Sequence, residues 1–309
     1  MITAVELGLI YAIMALGVYL TFRILDFPDL TVDGSFTTGA AVAAVGIVNG
    51  INPLVATLLA FFAGAAAGTV TGLLHTKGKI NGLLAGILTM IALYSINLRI
   101  MGKANVPLLG ETTLITPLRD GKMLGTVFSV AIFFALALLV KFAIDWFLRT
   151  DVGLAMQATG DNEEMIRSFG VSTDNQKILG LALSNGLVAL CGAFIAQYQG
   201  FADVGMGIGL ILIGLASVII GQAIFGSKYI WIATLAVILG AVLYRLVIQL
   251  ALSAGLEPND MKMISAILVV IALVLPQWKG FSKISARMKG SSAATNKTDS
   301  ASAQKEPVA

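Results

Sequence analysis

The chain has 309 residues, 57% of them hydrophobic and only 12% charged; adding its 33 glycines brings the apolar share to about 68%, against roughly 45–50% apolar and about 25% charged in soluble domains. With a mean hydropathy of +0.90, the chain is too apolar for a soluble globule and reads as a polytopic membrane protein. A net charge of +3 offers no polybasic surface for nucleic acid, and one cysteine, Cys191 in an apolar run, excludes a disulfide framework or a cysteine-rich metal site and reads as a small packing residue.

A bilayer core takes about 20 apolar residues as helix. Nine stretches qualify: Ile2–Phe22, Thr31–Val48, Pro53–Leu74, Leu83–Met101, Leu124–Phe147, Ile178–Gln199, Gly209–Phe225, Tyr229–Gln249 and Met261–Leu275. The expected fold is an all-α bundle of about nine spans, with eight to ten allowed by the uncertainty in the breaks, and no soluble domain between them. The first span opens Met1-Ile2-Thr3 with no basic region and no small-residue cleavage site, so it reads as a retained helix.

The segment 23–34 carries Asp26, Pro28, Asp29 and Asp33 beside apolar runs and reads as broken or re-entrant. Irregular backbone at membrane depth survives only where it is buried in protein or lines a cavity, which makes Asp29, Thr31 and Asp33 candidate residues of a translocation pathway. The competing reading is an interfacial loop in which Pro28 starts a helix and the aspartates are solvated or cap it. In the third span Gly64-Ala65-Ala66-Ala67-Gly68-Thr69-Val70-Thr71-Gly72 is a ladder of small residues suited to close helix packing. His75 stands with Lys77 and Lys79 as cytoplasmic charge. Asn97 and Arg99 in the fourth span and Arg245 in the eighth sit where polar groups are costly; they face a pathway or a docked binding protein, or the arginines snorkel to headgroups. Asn185, Gln197 and Gln222 divide between substrate contacts and interhelical hydrogen bonds.

The loop from Arg149 to Lys177 is the most informative polar segment. Asp161 reads as an N-cap with Glu164 completing a capping box, and Gly170 as the left-handed residue that ends the helix. Between them Met165, Ile166 and Phe169 fall on one arc, while Glu163 and Arg167 pair at i,i+4 on another. So short a helix is unstable alone in water; its apolar face either docks in a groove on a cytoplasmic partner or packs at the membrane interface or beneath the bundle. Thr173-Asp174-Asn175-Gln176 reads as a second capping box starting the next span. The glycines of Gly200–Gly209 follow no soluble strand and read as an extracellular turn or half-membrane helix. The tail Gly290–Ala309 is polar and reads as disordered, which divides the chain into a transmembrane domain at 1–285 and a tail at 286–309. Placing that tail in the cytoplasm puts 14 of the 20 basic residues inside, with the N-terminus outside.

Arg149-Thr150-Asp151-Val152-Gly153-Leu154-Ala155-Met156-Gln157-Ala158, then Asn162 and Phe169-Gly170-Val171, resembles the cytoplasmic loop of ABC transporter permeases of the branched-chain amino-acid/ribose type. Gly8 to Gly17 and Asp29-Leu30-Thr31-Val32-Asp33-Gly34-Ser35-Phe36 are similar to that family's first helix and the break after it, the last in a form similar to an aromatic amino-acid uptake subfamily. Met165 and Ser168 replace the small residues usual in the loop. The resemblance implies a type II ABC importer fold in the inner or plasma membrane, and a coupling helix formed by Asp161, Asn162, Glu163, Glu164, Met165, Ile166, Arg167, Ser168, Phe169 and Gly170. It further implies two partner ATPases, an extracellular or periplasmic binding protein, a second permease subunit, identical or homologous, and an amino acid or related small solute, nucleosides and sugars included, as cargo. The candidate pathway set is Asp29, Thr31, Asp33, Asn97, Asn185 and Gln222. No cofactor or metal pattern occurs, and Gly221–Lys228 has Ser227 where a phosphate loop needs lysine, so ATP belongs to a partner chain and this chain is no enzyme. An ion-coupled carrier would need mid-depth ionisable relays, which the fifth, sixth, seventh and ninth spans do not offer; an intramembrane enzyme would need an acid/base or metal constellation.

Overall fold

A computed structural model describes residues 1–253 and 261–274; the loop Gly255–Asp260 and the tail 286–309 lie outside the described residues. The elements are α1 Ile2–Tyr19, α2 Thr31–Val48, α3 Pro53–Thr76, α4 Gly82–Met101, β1 Asn105–Pro107, α5 Thr116–Asp120, α6 Val127–Leu148, α7 Asp151–Asp161, α8 Glu163–Ser168, α9 Thr173–Gln199, β2 Phe201–Asp203, α10 Leu210–Phe225, α11 Ile230–Ser253 and α12 Met261–Val274. Among the described residues seven helices are long and apolar enough to cross a membrane: α1 with its extension to Ile24, α2, α3, α4, α6, α9 and α11. The expected span at Gly209–Phe225 appears as the shorter α10, of 16 residues, and the expected span Met261–Leu275 is described over Met261–Val274 as α12. Among the described residues the nine expected spans thus correspond to seven full-length helices, the shorter α10 and the described part of α12.

α1 is apolar on every side, and every residue from Gly8 to Thr21 is buried; a helix of that kind belongs inside a bundle. It is wrapped by α6, α9, α10 and α11. A π turn at Leu20–Ile24 widens its last turn, residues 25–30 leave helical form, and α2 resumes at Thr31. In contrast α3, α4 and α6 each bury one face and expose large apolar side chains on the other, among them Phe62, Leu88, Ile91, Phe142 and Trp146. Such continuous apolar exposure fits a lipid environment.

Between helices in lipid there is little hydrophobic drive, so association rests on close packing and interhelical hydrogen bonds. The small-residue ladder of α3 supplies the first. A Cβ on Gly68 would lie 2.2 Å from the Leu181 carbonyl oxygen, and one on Gly64 2.4 Å from that of Asn185; the backbones of α3 and α9 touch there. Two polar clusters supply the second. The Glu6 carboxylate accepts the Gly125 N–H at 2.8 Å, the Ser129 hydroxyl and the Tyr198 hydroxyl at 2.7 Å, clasping α1 to α6 and α9. In the lower interior Lys141 and Asp145 form a buried ion pair one turn apart on α6, and Asp145 also accepts the Thr234 hydroxyl of α11 at 2.8 Å.

The short α7 and α8 sit at one end of the bundle, against the end of α6, the π turn and the start of α9. Gly160 of α7 meets the backbone there: a Cβ would fall 1.9 Å from the Ile24 carbonyl oxygen. At the other end β1 and β2 pair antiparallel, Val106 opposite Ala202. That ribbon is what the glycine-spaced segment after α9 builds; the left-handed glycines Gly200 and Gly209 bracket it and the descent that follows.

Candidate functional site

At the α8 end, the sequence 149–172 folds as two helices, not one. Asp161 closes α7, and Asn162, in extended conformation, caps α8 by accepting the Met165 N–H at 2.9 Å. The cap is therefore Asn162 rather than Asp161; the presence of α7 immediately upstream places Asp161 inside a helix end. Gly170 takes the expected left-handed conformation, φ +85°. The second capping box does not form: Ser172 precedes α9 without a side-chain cap bond, because the Thr173 hydroxyl is engaged by Arg167 at 2.9 Å and Glu163 at 3.2 Å.

Glu163 is the hub of this end. It accepts from Arg167 at 2.9 Å, as the i,i+4 spacing predicts, and from Lys177 of α9 at 2.6 Å. The Lys177 hydrogen bond holds its carboxyl below the usual carboxylate range, against the opposing effect of partial burial. Lys77, just past the end of α3, pairs with Asp174 of α9 at 3.0 Å. These contacts brace α8 against α9, and α9 against the end of α3, around an open, mixed-charge cleft of about 780 Å³ lined by His75, Lys79, Glu163, Arg167, Asp174 and Lys177. His75 donates its Nδ1–H to the Ile80 carbonyl, 2.9 Å away, and meets the Phe27 ring edge-on, a role in the α3 terminus beyond bare charge. Met165 and Phe169 project outward, Phe169 75% exposed, while Ile166 is half-buried. Phe169 thus does not pack beneath the chain's own bundle.

The second cluster lies inside. Asp29, 3% exposed, accepts the Thr31 N–H at 2.9 Å and the Asn185 amide at 2.6 Å; Asn185 accepts the Ser35 hydroxyl at 2.6 Å, and Thr31 bonds Thr71 of α3 at 2.8 Å. Asn185 stands near the middle of α9, so α2 begins inside the bundle rather than at its surface. Asp33, in the first turn of α2, accepts the Gly209 and Ile211 N–H groups at 2.7 and 2.8 Å. It caps the start of α10 inside the bundle, and Gly226, at φ +85°, ends that helix after 16 residues. Both aspartates sit where a helix N-terminus favours an anion. Asp29 and Asp33 thus accept from backbone at helix starts, as a capping role would have it, but inside the bundle and not in an interfacial loop.

Asn97 of α4 is buried and donates to the Gly34 carbonyl at 3.2 Å, leaving its Oδ1 without a partner. It borders a cleft of about 370 Å³ with Asp33, Thr37, Tyr94 and Ile208. Five of the six candidate pathway residues, Asp29, Thr31, Asp33, Asn97 and Asn185, thus gather around the start of α2. Gln222 does not: it lies on α10 with its Nε2 buried and without a partner. Gln197 is an interhelical brace, donating to Thr57 at 2.8 Å and accepting the Leu114 N–H at 3.0 Å. Cys191 is buried, its thiol on the Ile10 carbonyl. Arg99 is exposed, whereas Arg245 is tucked against the Tyr11 ring instead of snorkelling. Sequence reading missed α7, the β ribbon and the Glu6 clasp; for α7, Thr150 before Asp151 was an available signal, since the Thr150 hydroxyl accepts the Gly153 N–H.

Against known proteins, residues 1–274 match the family described as branched-chain amino acid transport system / permease component. A tyrosine transport system permease protein of Clostridioides difficile (strain R20291) is 46% identical over 273 residues, 88% of this chain and 90% of that protein. A ribose import permease protein of Escherichia coli (strain K12) is 26% identical over 87% of this chain and 82% of its own length, and a fructose import permease protein of Bifidobacterium longum (strain NCC 2705) is 26% identical over 94% and 80%. Among solved structures, a metal-chelate type ABC transporter in an inward-facing conformation aligns at TM-score 0.49 and 16% identity, over 90% of this chain and 84% of that one.

Proposed function

The chain belongs to the branched-chain amino acid transport system permease family and is the permease component of an ABC transporter; from that premise we propose that it imports an amino acid, with tyrosine the first candidate, and that α8 is where a partner ATPase engages it. The candidate cargo follows the tyrosine transport permease that shares 46% of its residues. The coupling assignment is carried by one observation: an apolar pair, Met165 and Phe169, projects from a helix braced by Glu163, Arg167 and Lys177. A two-turn helix cannot transmit force unless anchored, and this one is anchored on α9 at one side and left bare on the other.

In this reading two copies of the chain, or one with a homologue, enclose the pathway in the cell's inner or plasma membrane. The N-terminus lies outside and the α8 end in the cytoplasm. Two ATPases dock at Asp161–Gly170, hydrolyse ATP and supply the differential contact that a switch between inward and outward access requires; this chain holds no cofactor of its own. A binding protein delivers substrate at the β ribbon end, and Asp29, Thr31, Asp33, Asn97 and Asn185 form the polar part of the path, with Gln222 nearer the α8 end. Replacing Phe169 by Asp uncouples uptake from ATP hydrolysis while insertion into the membrane is preserved. Uptake by vesicles carrying the F169D transporter at the unmodified rate would overturn the coupling assignment.

A further inference from the structure

One cation of the interior is left over by the coupling helix and the α2 cluster. Arg245 lies eight residues before the end of α11 at Ser253, about 12 Å at 1.5 Å per residue, which is farther than its side chain reaches. Tyr11 lies correspondingly deep in α1, and the guanidinium carbon stands 4.2 Å from the centre of its ring. No carboxylate lies within ion-pairing distance of Arg245 among the described residues, and its buried Nε has no acceptor. Beside it opens a cavity of about 710 Å³ bordered by Tyr11, Gln199, Met206, Leu210, Tyr244 and Ser265. Arg245 is the one charged residue among those lining it, and Ile208 borders both this cavity and the Asp33–Asn97 cleft.

A guanidinium seated over an aromatic ring with its Nε–H unpartnered still has donors to offer, and the guanidinium fork is the shape that matches a carboxylate bidentately. Charges inside a membrane bundle otherwise pair with one another or with backbone. This chain does so for Lys141, so the missing partner of Arg245 is a specific omission. We propose that Arg245, seated on Tyr11, receives the α-carboxylate of the transported amino acid in the half of the bundle away from α8; this rests on the amino-acid reading above. The uncharged lining confines anion recognition to one point, and the surrounding Met206, Leu210 and Tyr244 offer the rest of the cavity to an apolar or aromatic side chain.

The test uses the complete transporter, permease with its ATPase and binding protein, in proteoliposomes. Labelled tyrosine uptake is compared for the unmodified chain, R245K and R245Q, and solid-state NMR measures dipolar recoupling between the ¹³C carboxyl of tyrosine and ¹⁵N-guanidinium arginine. The expected result is an uptake loss of tenfold or more in R245Q, a smaller loss in R245K, recoupling in the unmodified chain, and its disappearance in R245Q, with subunit assembly intact. Uptake by R245Q within twofold of the unmodified rate overturns the proposal, as does absence of recoupling in the unmodified chain, which decides the matter even if R245Q fails to assemble. A defect that appears only in vesicles containing phosphatidylglycerol assigns the cation to a lipid headgroup instead. Failure of the unmodified transporter to move tyrosine or any of the other common amino acids overturns the cargo reading and this assignment together.

Discussion

Lys141 and Arg245 are two cations within the same bundle, and the chain treats them oppositely. Lys141 is closed off: Asp145 neutralises it one turn away, and Thr234 satisfies the carboxylate's other oxygen. Arg245 has an aromatic face beneath it and a cavity in front of it. A buried ion pair tolerates replacement as a unit but not the loss of one member, while an unpaired cation contributes cost without a matching internal gain. The difference separates charge used to fix helix positions from charge kept available.

That contrast can be broken by stability measurements. The largest effect is expected for Asp145→Ala, which strands Lys141 in the interior and should cost about 3–5 kcal/mol, read as a drop in the thermal unfolding midpoint of the purified transporter; the double replacement K141M/D145L should recover most of it. Removing the other cation, Arg245→Met, should leave the midpoint unchanged or raised, within about 1 kcal/mol, since no buried charge is stranded and the lost contact with Tyr11 is offset by the desolvation cost of the cation that goes with it. A fall as large as that of Asp145→Ala would show Arg245 to be structural. Next in size, Tyr11→Leu removes the ring under the guanidinium and should cost about 1–2 kcal/mol beyond its packing loss, whereas Tyr11→Phe should sit near the unmodified midpoint. The smallest effect belongs to the exposed network at α8. Glu163→Gln should change stability by no more than about 1 kcal/mol yet raise amide exchange across Asn162–Gly170. Because the Glu163 carboxyl is held below its ordinary value, its contribution is complete above the ordinary carboxylate range, near 4.3, and is lost as pH falls through the depressed value. Protection of the α8 amides, their exchange rates taken relative to the intrinsic rates at each pH, should therefore be flat from about pH 8 to about pH 6 and fall only as pH drops through the depressed value.

The membrane class, the order of the long helices, the Glu163–Arg167 pair, the Gly170 stop and the packing role of the Gly64–Gly72 ladder were legible in the sequence because each follows from local composition or fixed helical spacing. What escaped depends on contacts between distant segments. Nothing near Gly209 announces that α10 starts inside the bundle; that follows from the Asp33 carboxylate 176 residues earlier. The cap at Asn162 rather than Asp161 was hidden by α7, whose end competes for the same residues. Arg245 looked like a snorkelling arginine because only the fold brings Tyr11 to it.

Asp29 and Asp33 stand one helical turn apart, yet each holds the beginning of a different helix: one fastens α2 to Asn185, the other carries the first N–H groups of α10. The two helices are thereby tied at their heads, so that a tilt of α2 about its first turn would have either to carry the head of α10 with it or to break the Asp33 bonds. The stretch that leads into those aspartates is gripped from below by Gly160 on the Ile24 backbone. That linkage accordingly reaches α7, one residue from the start of α8.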